Sequence, residues 1–480
     1  LGQWASSRTD LFPPWVCSVL SKLQSDVSPH SLAQTRKAFR SEFGMDLEDV
    51  FYDFNETPIG VGSIAQVYTA TLKPNPLVAT SAPIRCAIKI LHPGVEDKIK
   101  KDLAIMYMVT SLLNLLPGAQ WLSLPEEVLM FGSMMTEQLD LRNEANNLDK
   151  FIINFRGQHR VSYPAPIEGL RRRTVLIERY LDGLPMEKFL SMGRSPFDTE
   201  LADIALDSFL RMLILDNLVH ADMHPGNIFV TFRGPSPDKG LASWIPFIEH
   251  TPGPIVDAAT ISDLASLSYP EWQRTMAQLR ASGYTPHLVI LDAGLVTHLS
   301  PTNLRNFLDL FHAITEFDGA RVADLMVSRS RTPWTVIDLA GFRSEMDRFL
   351  TRIRVETLQL SRISVGDILA LVFSMVRTHH IKIESDFANV GIGIMLLEGI
   401  GRRLFPEMDL LKEAVPILRE AKRRRRHDGE ELEEGLGALG SGPVYWKFWA
   451  YSNLRPVLRI GDEVFRQDLF EQAREFFPCD

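Results

Sequence analysis

Apolar positions along this chain change their period several times, and the changes divide it into segments. Behind the break Leu11-Phe12-Pro13-Pro14, residues Trp15, Val19, Leu20 and Leu23 recur at helical spacing, so residues 1 to about 48 read as helical. From Phe51 to about Ile90 the pattern shortens to β-type runs separated by glycine and proline. Ile64–Tyr68 and Cys86–Ile90 are the clearest strands, with Asn75–Pro83 as the loop between them. Residues 95 to 155 return to helical periodicity, broken at Pro117 and Pro125. Within them Leu103–Leu116 is the longest apolar stretch, but Thr110, Ser111 and Asn114 interrupt it and Pro117 ends it. That falls short of the ~18–20 residues needed to span a bilayer, and we expect a buried helix. Thr174–Glu178 reads as a strand leading into the turn Leu181-Asp182-Gly183. Beyond Leu201 the chain is helical apart from strands at Ile228–Phe232 and Leu288–Leu291, which flank a Pro- and Gly-rich segment, Arg233–Pro286, that reads as an insertion. Phe387, Val390, Ile394 and Leu397 form a core-facing helical stripe. The glycines beside it (Gly391, Gly393, Gly399, Gly401) are expected to permit close helix contact rather than to bind phosphate.

A β-rich first part followed by an α-rich second part predicts an α+β protein of two lobes. The expected division is a helical extension (1–50), a small lobe with inserted helices (51–180), a large helical lobe (181–420) with an insertion at 233–286, and a charged link with an aromatic tail (421–480). In that last part Arg423–Arg426 could touch anionic lipid. The plainer reading is a solvated run neutralised by Glu430, Glu431, Glu433 and Glu434. Composition adds exclusions. With 45% hydrophobic and 23% charged residues the chain is ordinarily globular, and a net charge of −9 argues against nucleic acid as a partner. Three scattered cysteines, Cys17, Cys86 and Cys479, make no disulfide framework or metal knuckle and suit a reducing compartment. No secretory signal is visible, and a chain that opens on Leu1 reads as trimmed, so a targeting segment would not be seen.

The strongest chemical signal is His220-Ala-Asp222-Met-His224-Pro-Gly-Asn227, followed by a strand. Phosphoryl transfer needs a carboxylate to orient or deprotonate the acceptor and a nearby amide oxygen for magnesium, and Asp-x-x-x-x-Asn supplies both from one loop. Asp222 and Asn227 have that spacing. The alternatives are an ordinary Asp/Pro-Gly-Asn turn, or a metal site made of His220, Asp222 and His224. Next comes Val289-Ile-Leu-Asp292-Ala-Gly294, a hydrophobic strand whose Asp-x-Gly end aims a carboxylate at a phosphate-bound metal. Lys89, in Cys86-Ala-Ile-Lys-Ile, fits the strand lysine that reaches the α/β-phosphates and pairs with a helical glutamate. Gly60-Val-Gly62-Ser63 precedes a strand and suits a loop covering phosphates with backbone N–H groups, although a lone Gly-x-Gly is more often a plain turn.

Glu144 is the candidate glutamate. It lies in the helical segment Thr136–Asn147, where Asp140 and Glu144, four apart, would share one face. In isolation that pair would read as a solvated acidic face, and Lys89 is the cation that justifies Glu144 inside. Glu178 falls where the lobes should connect, so that its backbone neighbours would meet adenine. The order of these elements carries more weight than any one of them, and together they imply Mg2+ and ATP.

With these residues in place the sequence resembles the UbiB, or aarF-domain-containing, family of atypical kinases. The resemblance rests on Leu1-Gly2-Gln3, Leu20–Gln24, Ser63-Ile-Ala-Gln-Val-Tyr68, the segment of Asp140 and Glu144, His220–Asn227, Asp292–Gly294 and Leu397–Arg403, and it covers roughly residues 1–415. It implies a two-lobed kinase-like fold with extra helices between Lys89 and Glu144. It also implies nucleotide binding with ATPase-type activity, poor protein-kinase activity, and a mitochondrial, plastid or bacterial membrane-associated protein supporting coenzyme Q biosynthesis or distribution. A quinone-related lipid and a membrane surface are the implied partners. The family's Lys-x-Gly-Gln element folds over the active site; Gly2 and Gln3 match its end, which places Gln3 among the cleft residues. Two departures mark a divergent, mitochondrial-type subgroup: Gly60-Val-Gly62-Ser63 stands in place of an alanine-rich loop, and Gln138-Leu-Asp140 in place of Glu-x-Asp. The competing functions are a soluble small-molecule phosphotransferase with the same His-x-Asp-x-x-x-x-Asn loop, and a non-catalytic nucleotide-gated lipid-binding scaffold.

Overall fold

A computed structural model describes residues 28–74, 82–116, 122–235, 253–330, 332–358 and 365–406, with Val19, Met408, Ile417 and Glu420. The Gly2-Gln3 element, Leu20–Gln24, most of the Asn75–Pro83 loop and the tail from 421 lie outside these residues.

Helix α1 (Leu32–Phe43) starts at a capping box of Ser31 and Gln34 and stops at Gly44, whose φ of 70° suits glycine. A short α2 (Leu47–Val50) follows. Strands β1 (Gly60–Val61), β2 (Ala65–Leu72) and β3 (Ile84–Leu91) then form an antiparallel meander. Alternation assigns the two faces of this sheet. Tyr68, Ala70, Leu72, Cys86, Ile88 and Ile90 pack under α1 and α2 with Phe39 and Phe51, while Ala87 and Lys89 face the other way, into the cleft. The helical extension thus covers the back of the small-lobe sheet. Its registration is polar as well as apolar, because Gln66 accepts the His30 backbone N–H at 3.0 Å and Thr35 Oγ1 meets the Tyr68 hydroxyl at 2.8 Å.

Three inserted helices follow: α3 (Val95–Leu113), α4 (Leu124–Gln138) and α5 (Leu141–Asn154). Pro125 starts α4 from within its first turn instead of breaking a helix. The expected burial of Leu103–Leu116 is overturned. Met108, Leu112 and Leu115 are 58%, 61% and 76% exposed. The reason is geometric: Leu103 lies against Gly132 of α4, and only that side of α3 is covered. No described helix is long and apolar enough to cross a membrane.

Strands β4 (Val161–Ser162), β5 (Pro166–Arg171) and β6 (Val175–Arg179) come next. The small-lobe sheet is completed in the order β1-β2-β3-β6-β5. The chain then crosses to the large lobe, where β7 (Leu184–Pro185) and α6 (Met186–Ser191) lead into α7 (Asp198–Ile214). Helix α7 is buried along most of its length. Strands β8 (Val219–His220) and β9 (Ile228–Arg233) carry the His220–Asn227 loop between them. The Pro- and Gly-rich insertion holds two helices that the composition concealed, α8 (Ala258–Ser266) and α9 (Tyr269–Ala281). Pro270 sits in the first turn of α9 behind a Ser268/Glu271 capping box, and Trp272 of that helix is fully buried edge-on to Phe189. Strand β10 (Thr285–Ile290) returns antiparallel to β9 with Ile290 opposite Ile228, so the insertion hangs from the far end of a regular hairpin. After β11 (Val296–Thr297) come α10 (Pro301–Thr315), α11 (Gly319–Ser328), α12 (Leu339–Leu358), α13 (Val365–Thr378) and α14 (Ser385–Leu404). Val390 and Leu397 are buried as the stripe requires. A Cβ on Gly391 would fall 2.9 Å from Phe373 and one on Gly401 2.4 Å from Met408, whereas Gly399 faces open space.

The β9–β10 hairpin contains a pH-sensitive group. His287 is fully buried, with Ser162 Oγ at 2.7 Å from Nε2. Burial, then the Arg233 guanidinium, pushes its pKa down to about 4. A histidine held below its unfolded value contributes stability that is present above pH ~6.5 and lost as pH falls through ~4, at most ~3 kcal/mol. Denaturant midpoints measured from pH 7 to 4.5 should therefore fall less steeply for His287→Gln than for the wild type. Parallel slopes would show that His287 does not set acid lability.

Candidate functional site

Register places the cleft lysine. Lys89 lies opposite Val67 and Leu176 in the middle of the sheet, on the face turned toward the large lobe. Its ammonium donates to Glu144 Oε1 at 2.6 Å and to Asp292 Oδ2 at 3.0 Å. Residues separated by 203 positions in sequence thus share one cation. Burial works against the Lys89 charge, but the Asp292 and Glu144 carboxylates outweigh it and hold the pKa above the ordinary lysine value. Asp292 is depressed to about 2: burial would raise it, but Lys89, then the Gly294 N–H and His220, lower it further. Glu144 rises to about 7 because its burial outweighs the pull of Lys89.

Asp140 and Glu144 do not share a helix face. Helix α5 begins at Leu141, and Asp140 is its N-cap, accepting the Arg142 N–H at 3.1 Å and pairing with the Arg142 guanidinium. Glu144 alone points inward. Asn147, one turn on and not singled out in the sequence, donates to the Ala293 carbonyl at 3.0 Å and so ties α5 to the Asp-Ala-Gly turn. Its place three residues after Glu144 was the available signal.

The two large-lobe loops are fastened to each other. Ala221 N–H donates to the Leu295 carbonyl at 3.0 Å and Leu291 N–H to the Asn227 carbonyl at 3.0 Å, and β8 pairs with β11. His220 is the buried rivet. Its Nδ1 accepts the Asp222 N–H at 3.1 Å, so Nε2 carries the proton and donates to the Asp292 carbonyl. Burial lowers its pKa despite the neighbouring Asp292. With both ring nitrogens engaged, His220 is no metal ligand, and among the described residues no group of three His, Cys, Asp or Glu side chains could hold a metal. The plain-turn alternative does not account for these cross-loop bonds. Asp222 and His224 remain partly exposed at the loop surface, 3.7 Å apart.

A magnesium ion asks for hard oxygen donors. Asn227 donates its amide N–H to the Asp222 carbonyl at 3.1 Å, which turns its oxygen the other way. Asp292 Oδ1 accepts the Gly294 N–H at 2.7 Å and its carboxylate is ionised. The donor set fits. A Cβ on Gly294 would stand 3.1 Å from Asp292 Oδ1, so the carboxylate would have to give by a few tenths of an ångström. Gly60 and Gly62 have ordinary backbone angles, and an added Cβ would meet nothing at Gly60 and only the Ala65 carbonyl, at 3.5 Å, at Gly62. The turn between β1 and β2 closes through Gly62 N–H to Ala65, leaving the Ser63 amide at the tip. Glu178 belongs to β6 itself, opposite Ala87, and not to the lobe connection; its side chain is buried toward the cleft. Gln3 lies outside the described residues.

A five-stranded lobe over a helical lobe, joined across a Lys–Glu–Asp cluster, defines an atypical kinase-like protein. Comparison with known proteins agrees. The ABC1 atypical kinase-like domain matches residues 22–247 and the UbiB helical domain residues 350–409. A mitochondrial ABC1 family protein of Schizosaccharomyces pombe is 43% identical over 443 residues, covering 88% of this chain and 63% of its own length. A mitochondrial ABC1 family protein of Saccharomyces cerevisiae is 42% identical over 477 residues, covering 96% and 70%. A probable protein kinase UbiB of Vibrio cholerae is 27% identical over 424 residues, covering 87% and 66%. Among solved structures, Rv3197 of Mycobacterium tuberculosis in complex with erythromycin aligns over 85% of this chain and 91% of its own, with a TM-score of 0.46 and 18% identity. The chain belongs to the ABC1/UbiB family of atypical kinases. It spans 63% of the length of the fission-yeast relative.

Proposed function

We propose that the cleft binds Mg-ATP and activates its γ-phosphoryl group for transfer to water or to a small, quinone-related acceptor. The observation that carries this reading is the single ammonium of Lys89 held between Glu144 and Asp292. Such a cation, oriented by a buried acid, is placed to meet phosphate oxygens without reorganisation. In this reading Asn227 and Asp292 hold magnesium, which when bound would neutralise phosphate charge. Asp222 orients the acceptor hydroxyl or water, and Ser63 with the Gly60–Gly62 turn covers the phosphates from above. Gln3 is assigned to the same cleft by resemblance alone.

The mitochondrial names of the two yeast relatives support a mitochondrial location, and the family resemblance supports a role in coenzyme Q metabolism at a membrane surface. The domain division we propose keeps the boundaries at about 50, 180 and 420, with the helical insertion between β9 and β10.

Thermal-shift titration with Mg-ATP, Mg-ADP and ATP with chelator tests the binding step. A ligand at 100 times its Kd should add ~2.7 kcal/mol, a shift of a few degrees, and chelation should remove most of it. No shift at millimolar nucleotide overturns the reading. Phosphate release with and without phenolic lipids then tests turnover. Tight binding with no turnover in either condition would favour the nucleotide-gated scaffold.

A further inference from the structure

Glu178 is a buried acid that the cleft chemistry above does not use. It sits on β6 opposite Ala87, and Lys89 sits opposite Leu176 on the same sheet face. The Glu178 side chain therefore shares the cleft face with Lys89, two residues nearer the point where the chain leaves for the large lobe. The residue is 7% exposed, its Oε2 is enclosed, and among the described residues neither carboxyl oxygen has a hydrogen-bond partner. A buried carboxyl without partners is costly and calls for an explanation. Two other buried acids have a cation beside them: Glu144 has Lys89 and Glu127 has Lys382.

Position supplies the explanation. Lys89 and Asp292 mark the phosphate end of the cleft, so a nucleotide extended along the sheet face puts its base beside Ala87 and the lobe connection. Ala87, the cross-strand neighbour of Glu178, presents only a methyl group on that face. We propose that the Glu178 side chain recognises the base, hydrogen-bonding the polar substituent at purine C6 and the adjacent ring nitrogen. This deepens the nucleotide reading above and rests on it.

Burial, then the nearby Glu144 charge, pushes the Glu178 pKa well above the usual carboxylate range, against the weaker pull of Lys89. A carboxyl that keeps its proton offers one C=O acceptor and one O–H donor. Adenine answers with its N6 amine and N1. Hypoxanthine answers with N1–H and O6 once the proton moves to the other carboxyl oxygen. Selectivity is therefore for a purine bearing a polar 6-substituent, and not for adenine over hypoxanthine. An unsubstituted purine leaves the carboxyl half-satisfied, and a site built around a hydrogen bond rejects the analogue that lacks it.

The test is equilibrium binding of Mg-ATP, Mg-ITP and purine riboside triphosphate to wild type, Glu178→Gln and Glu178→Leu. The wild type should prefer ATP to purine riboside triphosphate by about tenfold, with ITP within a few-fold of ATP. Glu178→Gln, whose amide offers the same acceptor and donor, should keep the preference. Glu178→Leu should bind the three nucleotides within about twofold of one another. It should also melt at least as high as the wild type without ligand, because an unpaired buried polar group has been removed. A Leu variant that keeps the wild-type ratio, or a wild type indifferent to the 6-substituent, overturns the assignment while leaving nucleotide binding intact. Failure of the wild type to bind any of the three overturns both.

Discussion

Asp292→Asn should lower magnesium-dependent ATP turnover by at least ~10²–10³-fold, the usual loss when one preorganised electrostatic group is removed from a phosphoryl-transfer site. The substitution is nearly isosteric, so the fold should survive. The charge does not survive, and neither does the acceptor at Oδ2, which receives the Lys89 ammonium at 3.0 Å. An amide placed there either turns its NH2 toward Lys89, donor against donor, or flips and loses the Gly294 N–H bond of 2.7 Å at Oδ1. Either arrangement also removes one of the hard oxygens, and the negative charge, that Asp292 offers magnesium. The backbone carbonyl of Asp292 still accepts from His220, so the two loops should remain fastened. Steady-state phosphate release and a thermal melt on the same preparation check this. Turnover within threefold of wild type in a folded variant would falsify the assignment of Asp292.

Much of this cleft was legible in the sequence because its parts are short motifs with stiff local geometry. Strands around Lys89 and Asp292 announce themselves by apolar runs, and Asp222 and Asn227 are fixed by loop spacing. The face of β3 that carries Lys89 follows from alternation alone. What stayed hidden depends on the tertiary partner. Leu103–Leu116 is apolar enough to be buried, but whether a helix is covered depends on what packs beside it, and only one side of α3 meets α4. Pro and Gly punctuate the segment Arg233–Pro286 and give it the pattern of an insertion. Pro270 in the first turn of α9 shows how the same residue starts a helix when a capping Ser268 stands before it. Counting four residues puts Asp140 and Glu144 on one helix face. Counting cannot reveal that the helix begins between them, which the capping role of Asp140 decides. The His30–Thr35–Tyr68–Gln66 bonds that seat α1 on the sheet involve residues far apart in sequence, and no local pattern encodes them.

Lys89→Met should give the largest pH-dependent loss of stability in the unliganded protein. Glu144 is 4% exposed at its side chain and has Lys89 as its cation at 2.6 Å. Removing one member of a buried ion pair typically costs about 3–5 kcal/mol, because the remaining charge has no partner. Here the remaining group can relieve itself by taking a proton. Burial already holds Glu144 at about 7 with Lys89 present, and without the cation the value rises. The sign follows directly. A group whose folded pKa lies above its unfolded value contributes stability that is full at low pH and lost as pH rises through the folded value. The deficit of Lys89→Met relative to wild type should therefore be small near pH 6 and grow toward pH 9. Adding Glu144→Gln removes the titrating charge, so the double variant should recover most of the loss at pH 8 and show a flat profile. Urea denaturation of the three proteins at pH 6, 7.5 and 9 measures this. A single variant as stable as wild type at pH 9, or a double variant no better than the single, would mean that Lys89 and Glu144 are not coupled in the folded chain.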